Sequence, residues 1–205
     1  DTQTIAVTVG DANDNAPVIT SNSSGAISVE ENSTAVTTVT ATDADLATTY
    51  TYSIVGVADA GKFAINTSTG ALTFKSSPDY EAPSDSNSDN VYDVQVQVSD
   101  GVNTDTQDLA VTVTGVNDNN PVFTSAASAT FAENGTAVVL TAAATDADKP
   151  NQTLSYSLSG TDAALFNLNS STGALTFKTA PNFEAAADAG ADNIYNLVIT
   201  ANDGA

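Results

Sequence analysis

Thr69-Gly-Ala-Leu-Thr-Phe-Lys75 recurs unchanged as Thr172-Gly-Ala-Leu-Thr-Phe-Lys178, 103 residues further along the chain. Asp146-Ala-Asp148 repeats Asp43-Ala-Asp45 at the same spacing. A fixed period that holds over several separate segments is the signature of an internal repeat. The sequence therefore predicts two tandem repeats of about 100 residues each, a normal size for one domain.

Two further near-copies set the frame of these repeats. The polar segment Asp11-Ala-Asn-Asp-Asn-Ala-Pro17 resembles Gly115-Val-Asn-Asp-Asn-Asn-Pro121, and Asp1–Val9 resembles Asp105–Val113, the end of repeat one. We therefore expect Asp1–Val9 to be a last strand as well, one that belongs to a preceding repeat. The predicted organisation is residues 1–10 as that strand, 11–15 as a linker, 16–114 as repeat one, 115–120 as a second linker, and 121–205 as repeat two without its last strand.

Short strands with turn residues between them fill each repeat. Tyr92, Val94, Val96 and Val98 alternate with polar residues, which is the period of a half-buried strand. Tyr195, Leu197, Ile199 and Ala201 predict the same strand in repeat two. Other β-branched or aromatic runs are Val36–Thr42, Tyr50–Ile54, Phe63–Ile65, Ala71–Phe74 and Leu109–Val113. About seven strands in about 100 residues predict an all-β fold of tandem antiparallel Greek-key β-sandwiches with immunoglobulin-like architecture.

Composition excludes several classes of function. Asp and Glu number 25 against 4 Lys and Arg, for a net charge of −21, which disfavours nucleic acid and anionic membranes as partners. The chain has no Cys and no His, so disulfides, Cys/His zinc sites and His-activated nucleophiles are excluded. A two-carboxylate glycosidase is disfavoured because the acids recur in both repeats rather than in one cleft. We therefore expect a protein that is not an enzyme.

The acidic residues fall mainly in turns between strands. Loops rich in Asp, Asn and Glu supply the six to eight oxygen ligands that a hard cation needs. Clustered carboxylates without a cation repel each other. The Asp-Ala-Asp segments lack the Gly and terminal Glu of a twelve-residue EF-hand loop, so any calcium site here is of another kind.

Taken together, the motifs resemble tandem cadherin repeats, of the bacterial cadherin-like kind found in large surface or secreted proteins. The resemblance covers the whole chain and rests on elements that recur in the family's order in each repeat: Glu31-Asn32, Asp43-Ala-Asp45, Asp79-Tyr-Glu81, Ser99-Asp-Gly101 and the linkers 11–17 and 115–121. It implies a cadherin-type sandwich with calcium ions, often three, between consecutive repeats.

The resemblance also implies which residues hold calcium. At the junction between the two repeats, the ligands would be Glu31, Asp79 and Glu81, the linker residues Asn117 and Asp118, the backbone carbonyls of Val116 and Asn119, and Asp146, Asp148 and Asp203. Half-sites belonging to neighbouring junctions would be Asn13, Asp14, Asn15, Asp43, Asp45 and Asp100 at one end, and Glu133 and Glu184 at the other. Asn182 stands where repeat one has Asp79, which predicts weaker calcium binding at the second of these half-sites.

The function that this resemblance implies is calcium-dependent adhesion or spacing at a bacterial cell surface. Calcium would stiffen the linker of an extracellular, membrane-associated rod, and the partners would be calcium, neighbouring repeats, a second copy of the protein or a surface polysaccharide. A carbohydrate-binding module remains the alternative, although such modules favour exposed aromatic residues and this chain has no Trp. Self-association is also open, because Asp1–Val9 of one molecule would suit the missing last strand of repeat two in another.

Overall fold

The computed structural model describes residues 1–46 and 49–205, and the chain divides into two units, residues 1–115 and 116–205. In this described part, regular structure is almost entirely β-strand, with 3₁₀ turns at Ala60–Lys62, Ala163–Leu165 and Phe183–Ala185. The strands of unit 1 are β1 (Val18–Ile19), β2 (Ala26–Glu30), β3 (Ala35–Thr38), β4 (Ala41–Thr42), β5 (Thr51–Gly56), β6 (Phe63–Ile65), β7 (Ala71–Phe74), β8 (Val91–Ser99) and β9 (Thr104–Thr114). Those of unit 2 are β10 (Val122–Phe123), β11 (Leu140–Thr141), β12 (Ala144–Thr145), β13 (Ser155–Ser159), β14 (Phe166–Leu168), β15 (Ala174–Phe177) and β16 (Val198–Asn202).

Unit 1 is a sandwich of two sheets. One sheet has the strand order β2-β9-β8-β5, and the other has the order β3-β7-β6; β1 and β4 form a separate short pair. The alternation predicted for β8 is confirmed, because Tyr92, Val94, Val96 and Val98 are all buried while Asp93 points to solvent. The predicted all-β, immunoglobulin-like fold class is confirmed by this architecture.

Three aromatic rings fill the centre of the unit 1 core. Phe63 and Phe74 stack with ring centroids 4.6 Å apart, and Tyr92 meets Phe74 edge-on at 5.1 Å. Such edge-on and offset pairs are the arrangements that aromatic quadrupoles favour. The Tyr92 hydroxyl accepts a hydrogen bond from the Ser84 N–H, so its polar end is satisfied within the core.

One strand pair departs from the antiparallel pattern that the sequence suggests. β2 runs parallel to β9, with Ala26 opposite Ala110 and Glu30 opposite Thr114. The chain leaves β1, which pairs with β4, and enters the four-stranded sheet, where β2 lies beside β9 and runs in the same direction. Strand propensity carries no information about this choice of neighbour.

The repeated segment at 69–75 owes its glycine to a close backbone contact. Gly70 has φ +71°, and a Cβ at this position would collide with the carbonyl oxygen of Val39. The Val39 N–H donates to the Gly70 carbonyl at 2.9 Å, which holds the two segments together. Gly173 has φ +70° and lies against the Ala142 carbonyl in the same way in unit 2.

Unit 2 repeats the aromatic core but has shorter strands. Phe166 and Phe177 lie 4.2 Å apart, and Tyr195 meets Phe177 edge-on at 5.0 Å. The strand predicted from Tyr195 to Ala201 begins only at Val198. Among the described residues, β16 pairs with β13, from Ser155 opposite Asn202 to Ser159 opposite Val198. In unit 1, by comparison, β8 pairs on both sides, with β5 and with β9.

Candidate metal centre

Three carboxylates of unit 1 converge at the end of the sandwich where β2 ends. One oxygen of each of Glu31, Asp79 and Glu81 lies within 4.8 Å of the others. Glu31 is buried, and its Oε2 accepts the Tyr80 N–H, which ties the end of β2 to the Asp79–Glu81 loop. The Asp79 Oδ1 accepts the N–H groups of Glu81 and Ala82 at 3.0 Å, so the loop turns around its own first carboxylate.

Unit 2 contains a second convergent set, made by Asp146, Asp148 and Asp203. Their oxygens also lie within 4.8 Å of one another. Asp148 is fully buried, and its N–H donates to the Asp146 Oδ1 at 3.0 Å. Asp203 follows β16 and is half-buried. The Asp-Ala-Asp turn and the end of β16 therefore bring their acids together.

The segment 116–119 is anchored on this unit 2 set. The Asn119 N–H lies 3.1 and 3.2 Å from the two oxygens of Asp148, and the Asn119 side-chain amide donates to Asp148 Oδ1 at 2.7 Å. Asn119 also donates to Asp118 Oδ1 at 3.0 Å. Val116 and Asn117 are half-buried, whereas Asp118 is exposed. A single buried carboxylate thus orders the linker segment.

The hydrogen bonds from Asn119 also keep Asp148 ionised. Burial alone would raise the pKa of the Asp148 carboxyl, but the side-chain and backbone donors of Asn119 outweigh this effect. The pKa of Asp148 is therefore held below its ordinary value. A buried carboxylate that stays charged at neutral pH is a suitable ligand for a cation.

The unit 2 set fits a hard divalent cation. Asp146 Oδ2 and Asn117 Oδ1 are buried oxygens that accept no hydrogen bond from the described part of the chain. Buried acceptors without a donor are costly, and they are rare in folded proteins. Carboxylate and amide oxygens of this kind are the ligands that calcium takes. Asp146, Asp148, Asp203 and Asn117 therefore fit the chemistry of a calcium site.

The acids and amides at the opposite end of unit 1 form a related arrangement. The Asn15 N–H and side-chain amide donate to the two oxygens of Asp45 at 2.9 and 2.6 Å, as Asn119 does to Asp148. The Asp45 N–H donates to Asp43 Oδ1, and the other oxygen of Asp43 is buried without a partner among the described residues. Asp14 is exposed and accepts from the Asn15 amide at 3.1 Å.

Asn13 and Asp100 complete this end of unit 1. The Asn13 side-chain oxygen lies 2.9 Å from Asp100 Oδ2 and 3.3 Å from Asp45 Oδ2, and all three atoms are hydrogen-bond acceptors. With the Asn13 amide rotated by 180°, its NH₂ group donates to both carboxylates instead. The Asn15 amide donors lower the pKa of Asp45. Desolvation would raise the pKa of Asp100, but the N–H groups of Asn103 and Val102 outweigh it and lower that pKa.

Glu133 and Glu184 occupy the unit 2 positions that match Glu31 and Glu81. Glu133 Oε2 accepts the Phe183 N–H at 3.0 Å, and Asn182 Oδ1 accepts the Glu184 N–H at 3.0 Å. The loop fold of unit 1 is thus preserved with Asn182 in place of an acid. Both glutamates are exposed, and in the described residues they belong to no set of three carboxylates.

Four buried aspartates, which the sequence did not single out, have a different role. Asp59 accepts the N–H groups of Ser86 and Asp93 at 2.7 and 3.0 Å, and Asp162 accepts those of Ala189 and Asn196 in unit 2. Asp85 and Asp188 accept backbone N–H groups within the loops that follow. These carboxylates stabilise loops, and only their recurrence in both repeats would have marked them.

Comparisons with known proteins agree with this architecture. The family profile described as Cadherin domain matches residues 26–114 and 127–205. Human protocadherin Fat 1 is 35% identical over 168 residues, which cover 77% of this chain and 4% of that protein. Mouse protocadherin Fat 4 is 34% identical over 191 residues, which cover 88% of this chain and 4% of that protein. The chain thus spans a small fraction of the length of these relatives.

Solved structures show the same likeness. The crystal structure of mouse cadherin-23 EC22-24 matches this chain with a TM-score of 0.65 and 28% sequence identity. The match covers 95% of this chain and 61% of the cadherin-23 chain. Protocadherin gamma B2 extracellular cadherin domains 3–6 have a TM-score of 0.66 at 24% identity over 96% of this chain and 50% of that one, a likeness of fold. In the described part of the chain, no helix has the length and apolar character to cross a membrane.

Proposed function

The chain belongs to the cadherin family, and from that membership we infer that it is a calcium-dependent adhesion or spacer module. Cadherin domains are typically calcium-dependent adhesion modules, and cadherins are adhesion proteins rather than enzymes. The observation that best supports calcium binding here is the Asp146–Asp148–Asp203 set, which combines a donor-free buried oxygen on Asp146 with a fully buried Asp148 that accepts hydrogen bonds from the linker residue Asn119.

We propose that calcium ions join the two repeats, residues 16–114 and 121–205, through the linker 115–120. Repeat one would supply Glu31, Asp79 and Glu81. The second repeat and linker would supply Val116, Asn117, Asp118, Asn119, Asp146, Asp148 and Asp203. Each unit carries a convergent acid set of its own, which supports a shared site built from two halves.

Charge balance supports this assignment. Seven of the proposed ligands are carboxylates, namely Glu31, Asp79, Glu81, Asp118, Asp146, Asp148 and Asp203. Three divalent ions would offset this charge almost fully. Without cations, carboxylates held this close repel one another and weaken the segment that carries them. Calcium would therefore order the linker, and the module would stiffen.

The outer half-sites extend the same proposal to neighbouring repeats. Residues 1–10 match a last strand and 11–15 match a linker, so Asn13, Asp14, Asn15, Asp43, Asp45 and Asp100 would bind calcium with a repeat that precedes them. Glu133 and Glu184 would bind calcium with the linker that follows repeat two. Asn182 removes one carboxylate from that second set, so we expect weaker affinity there.

The setting that we propose is extracellular, on the surface of a bacterial cell, with adhesion to a second copy of the protein or to a surface polysaccharide. Cadherin relatives are cell-surface proteins. Carbohydrate binding is the alternative function, and no surface feature of the described residues favours it. Among the described residues, the exposed aromatic side chains Phe123 and Phe183 line an apolar groove in unit 2 rather than a polar cleft suited to sugars.

Calorimetric titration of calcium tests the ligand assignment. We expect dissociation constants of about 10⁻⁴–10⁻³ M, which are typical of extracellular modules. Asp146→Asn removes one carboxylate charge from the unit 2 set and should weaken binding there by about tenfold, the equivalent of ~1.4 kcal/mol. Asp192→Asn is the matched control, because Asp192 is exposed, accepts the local N–H of Ile194 and lies outside the proposed ligand set. Equal affinities for the two variants would contradict the assignment.

Small-angle scattering tests the stiffening separately. The radius of gyration and the largest dimension are measured in millimolar calcium and again after chelation. We expect a narrower distribution of distances with calcium, and the Asp146→Asn variant should need more calcium to reach it. A scattering profile that does not change on chelation would refute the proposed mechanical role, even if calcium binds.

A further inference from the structure

The side-chain amide of Asn90 connects two loops of unit 1. Its Nδ2 group donates a hydrogen bond to the Tyr80 carbonyl at 3.0 Å. Tyr80 lies between Asp79 and Glu81, which are two of the three carboxylates that converge in this unit. The loop that carries these acids is therefore held by a residue that is not itself an acid of the set.

The peptide group between Tyr80 and Glu81 transmits this hydrogen bond to the acids. Its carbonyl accepts from Asn90, and its N–H donates to Asp79 Oδ1 at 3.0 Å. A peptide group is planar, so a fixed direction of its carbonyl also fixes the direction of its N–H. The N–H of Tyr80 itself donates to Glu31 Oε2. Backbone groups on either side of the Tyr80 carbonyl thus bond two of the three converging carboxylates, and the third belongs to Glu81.

Asn90 is anchored independently of these acids. Its N–H donates to Oδ1 of the buried Asp85 at 3.2 Å, and its carbonyl accepts from the Val113 N–H of β9 at 2.8 Å. Asp85 also accepts the Asp89 N–H at 2.9 Å, which closes the turn that leads to Asn90. None of these three hydrogen bonds involves an acid of the converging set, so they hold Asn90 in place without a cation.

The backbone of Asn90 explains why an asparagine suits this position. Its φ is +63°, in the left-handed region, where Asn and Asp are enriched among residues that have a side chain. Glycine also fits this backbone but has no amide to donate, and an ionised Asp offers only acceptors. Asparagine therefore combines tolerance of the left-handed backbone with the donor that the Tyr80 carbonyl receives.

Unit 2 contains the same contacts. Asn193 has φ +61°, its Nδ2 group donates to the Phe183 carbonyl at 3.0 Å, and its N–H donates to Asp188 Oδ1 at 3.0 Å. The Glu184 N–H donates to the Oδ1 atom of Asn182, which stands here in place of an acid. The contacts persist although one carboxylate is replaced, so they belong to the fold of the loop and do not depend on the full set of acids.

We propose that Asn90 is a positioning residue for calcium, which holds the Asp79–Glu81 loop in the conformation where its carboxylates converge with Glu31. This role rests on the calcium-binding function proposed above. Carboxylates within 4.8 Å of one another repel, so without the Asn90–Tyr80 hydrogen bond the loop would relax and separate them. Calcium binding would then have to supply the free energy that brings them together again, and the affinity would fall.

Two substitutions remove the Asn90–Tyr80 hydrogen bond in different ways. Asn90→Gly keeps the left-handed backbone and deletes the amide, whereas Asn90→Asp keeps the shape and turns an acceptor toward the Tyr80 carbonyl. In calorimetric titration of the whole chain, both should lower the mean calcium affinity, by about fivefold for Asn90→Gly, which loses one ordinary hydrogen bond. Asn90→Asp also adds a negative charge, so an effect of charge alone would raise the affinity instead.

Ser88→Gly is the matched control. Ser88 has φ +61°, is exposed and lies in the same loop as Asn90. Glycine at this position gives the loop similar backbone freedom, while the Asn90–Tyr80 hydrogen bond stays in place. We expect the calcium affinity of Ser88→Gly to equal that of the natural sequence. Equal losses for Ser88→Gly and Asn90→Gly would assign the effect to loop flexibility alone and would overturn the proposal.

Amide hydrogen exchange in a chelator tests the hydrogen bond without any cation. The N–H groups of Tyr80 and Glu81 should exchange about fivefold faster in Asn90→Gly than in the natural sequence, because the loop that orders them loses its anchor. Val96 lies within β8, which pairs with strands on both sides, and its N–H should keep its protection if the sandwich is intact.

The two measurements separate failure of the positioning role from failure of the proposed function. Calcium binding that Asn90→Gly leaves unchanged would refute the positioning role and leave the calcium function in place. Absence of calcium binding by the natural sequence would refute the calcium function, and faster exchange in Asn90→Gly would then show that Asn90 orders the loop only. Unchanged exchange at Tyr80 and Glu81, or tighter calcium binding by Asn90→Asp, would also overturn the proposal.

Discussion

Substitution of Gly70 by Ala should destabilise unit 1 through two separate effects. Gly70 has φ +71°, where an Ala backbone costs about 1–2 kcal/mol. The new Cβ would also collide with the Val39 carbonyl, so the segment at Val39 must move. Forced movement of a packed segment costs about 1–3 kcal/mol, and loss of the Val39–Gly70 hydrogen bond costs about 0.5–1.5 kcal/mol more. The expected loss is therefore about 3–6 kcal/mol, a large part of a typical domain's total stability.

Two other glycines separate these effects. Gly101 has φ +96° with open space around it, so Gly101→Ala should cost only the backbone strain of about 1–2 kcal/mol. Gly61 also has open space and no positive φ, so Gly61→Ala should be neutral or stabilising by about 0.4–1 kcal/mol. Urea unfolding followed by circular dichroism and tyrosine fluorescence gives the three free energies of unfolding. If Gly70→Ala proves no less stable than Gly101→Ala, the close contact with Val39 is not a constraint and the reasoning fails.

Two further predictions concern the buried aspartates. Asp59→Asn should lower the free energy of unfolding by about 1.5–3 kcal/mol, because one of the two backbone N–H groups bonded to Asp59 loses its charged acceptor. Asp108 is exposed, so Asp108→Asn should change that free energy by no more than about 0.5 kcal/mol. Equal losses for the two variants in urea unfolding would contradict this prediction. Asp85 is desolvated, which raises its pKa, but backbone donors outweigh this and lower the pKa from 3.8. Its stabilising effect should therefore be present above about pH 4 and lost as pH falls further, and Asp85→Asn should flatten that pH dependence in chelator.

The strands that sequence could predict are those with strong local patterns. The strands Phe63–Ile65 and Ala71–Phe74 have the predicted bounds. Their aromatic and aliphatic residues, flanked by turn residues, identify a strand without any knowledge of its pairing partner. The strand predicted from Tyr195 begins only at Val198 in the structure, because the length of a strand depends on the strand it pairs with. The parallel pairing of β2 with β9 was missed for the same reason, since it joins segments far apart in the chain.

The acid sets were predictable in composition but not in geometry. Turn position and recurrence singled out Asp146 and Asp148, and the structure brings both together with Asp203. Sequence did not predict that Asn119 would donate twice to Asp148, because an Asn in a polar linker has many alternative partners. It also gave no means to distinguish Asp59, which stabilises a loop, from an acid that binds a cation.

The parallel register of β2 and β9 determines how unit 1 responds to tension. A pull toward the amino terminus acts on β2 through the short β1-β4 pair, and a pull toward the carboxyl terminus acts on β9, so the two forces point in opposite directions along one shared ladder. Residues 26–30 and 110–114 are then loaded in shear, and their hydrogen bonds must yield together rather than one after another. The parallel ladder between β2 and β9 is therefore suited to resisting a mechanical load on unit 1.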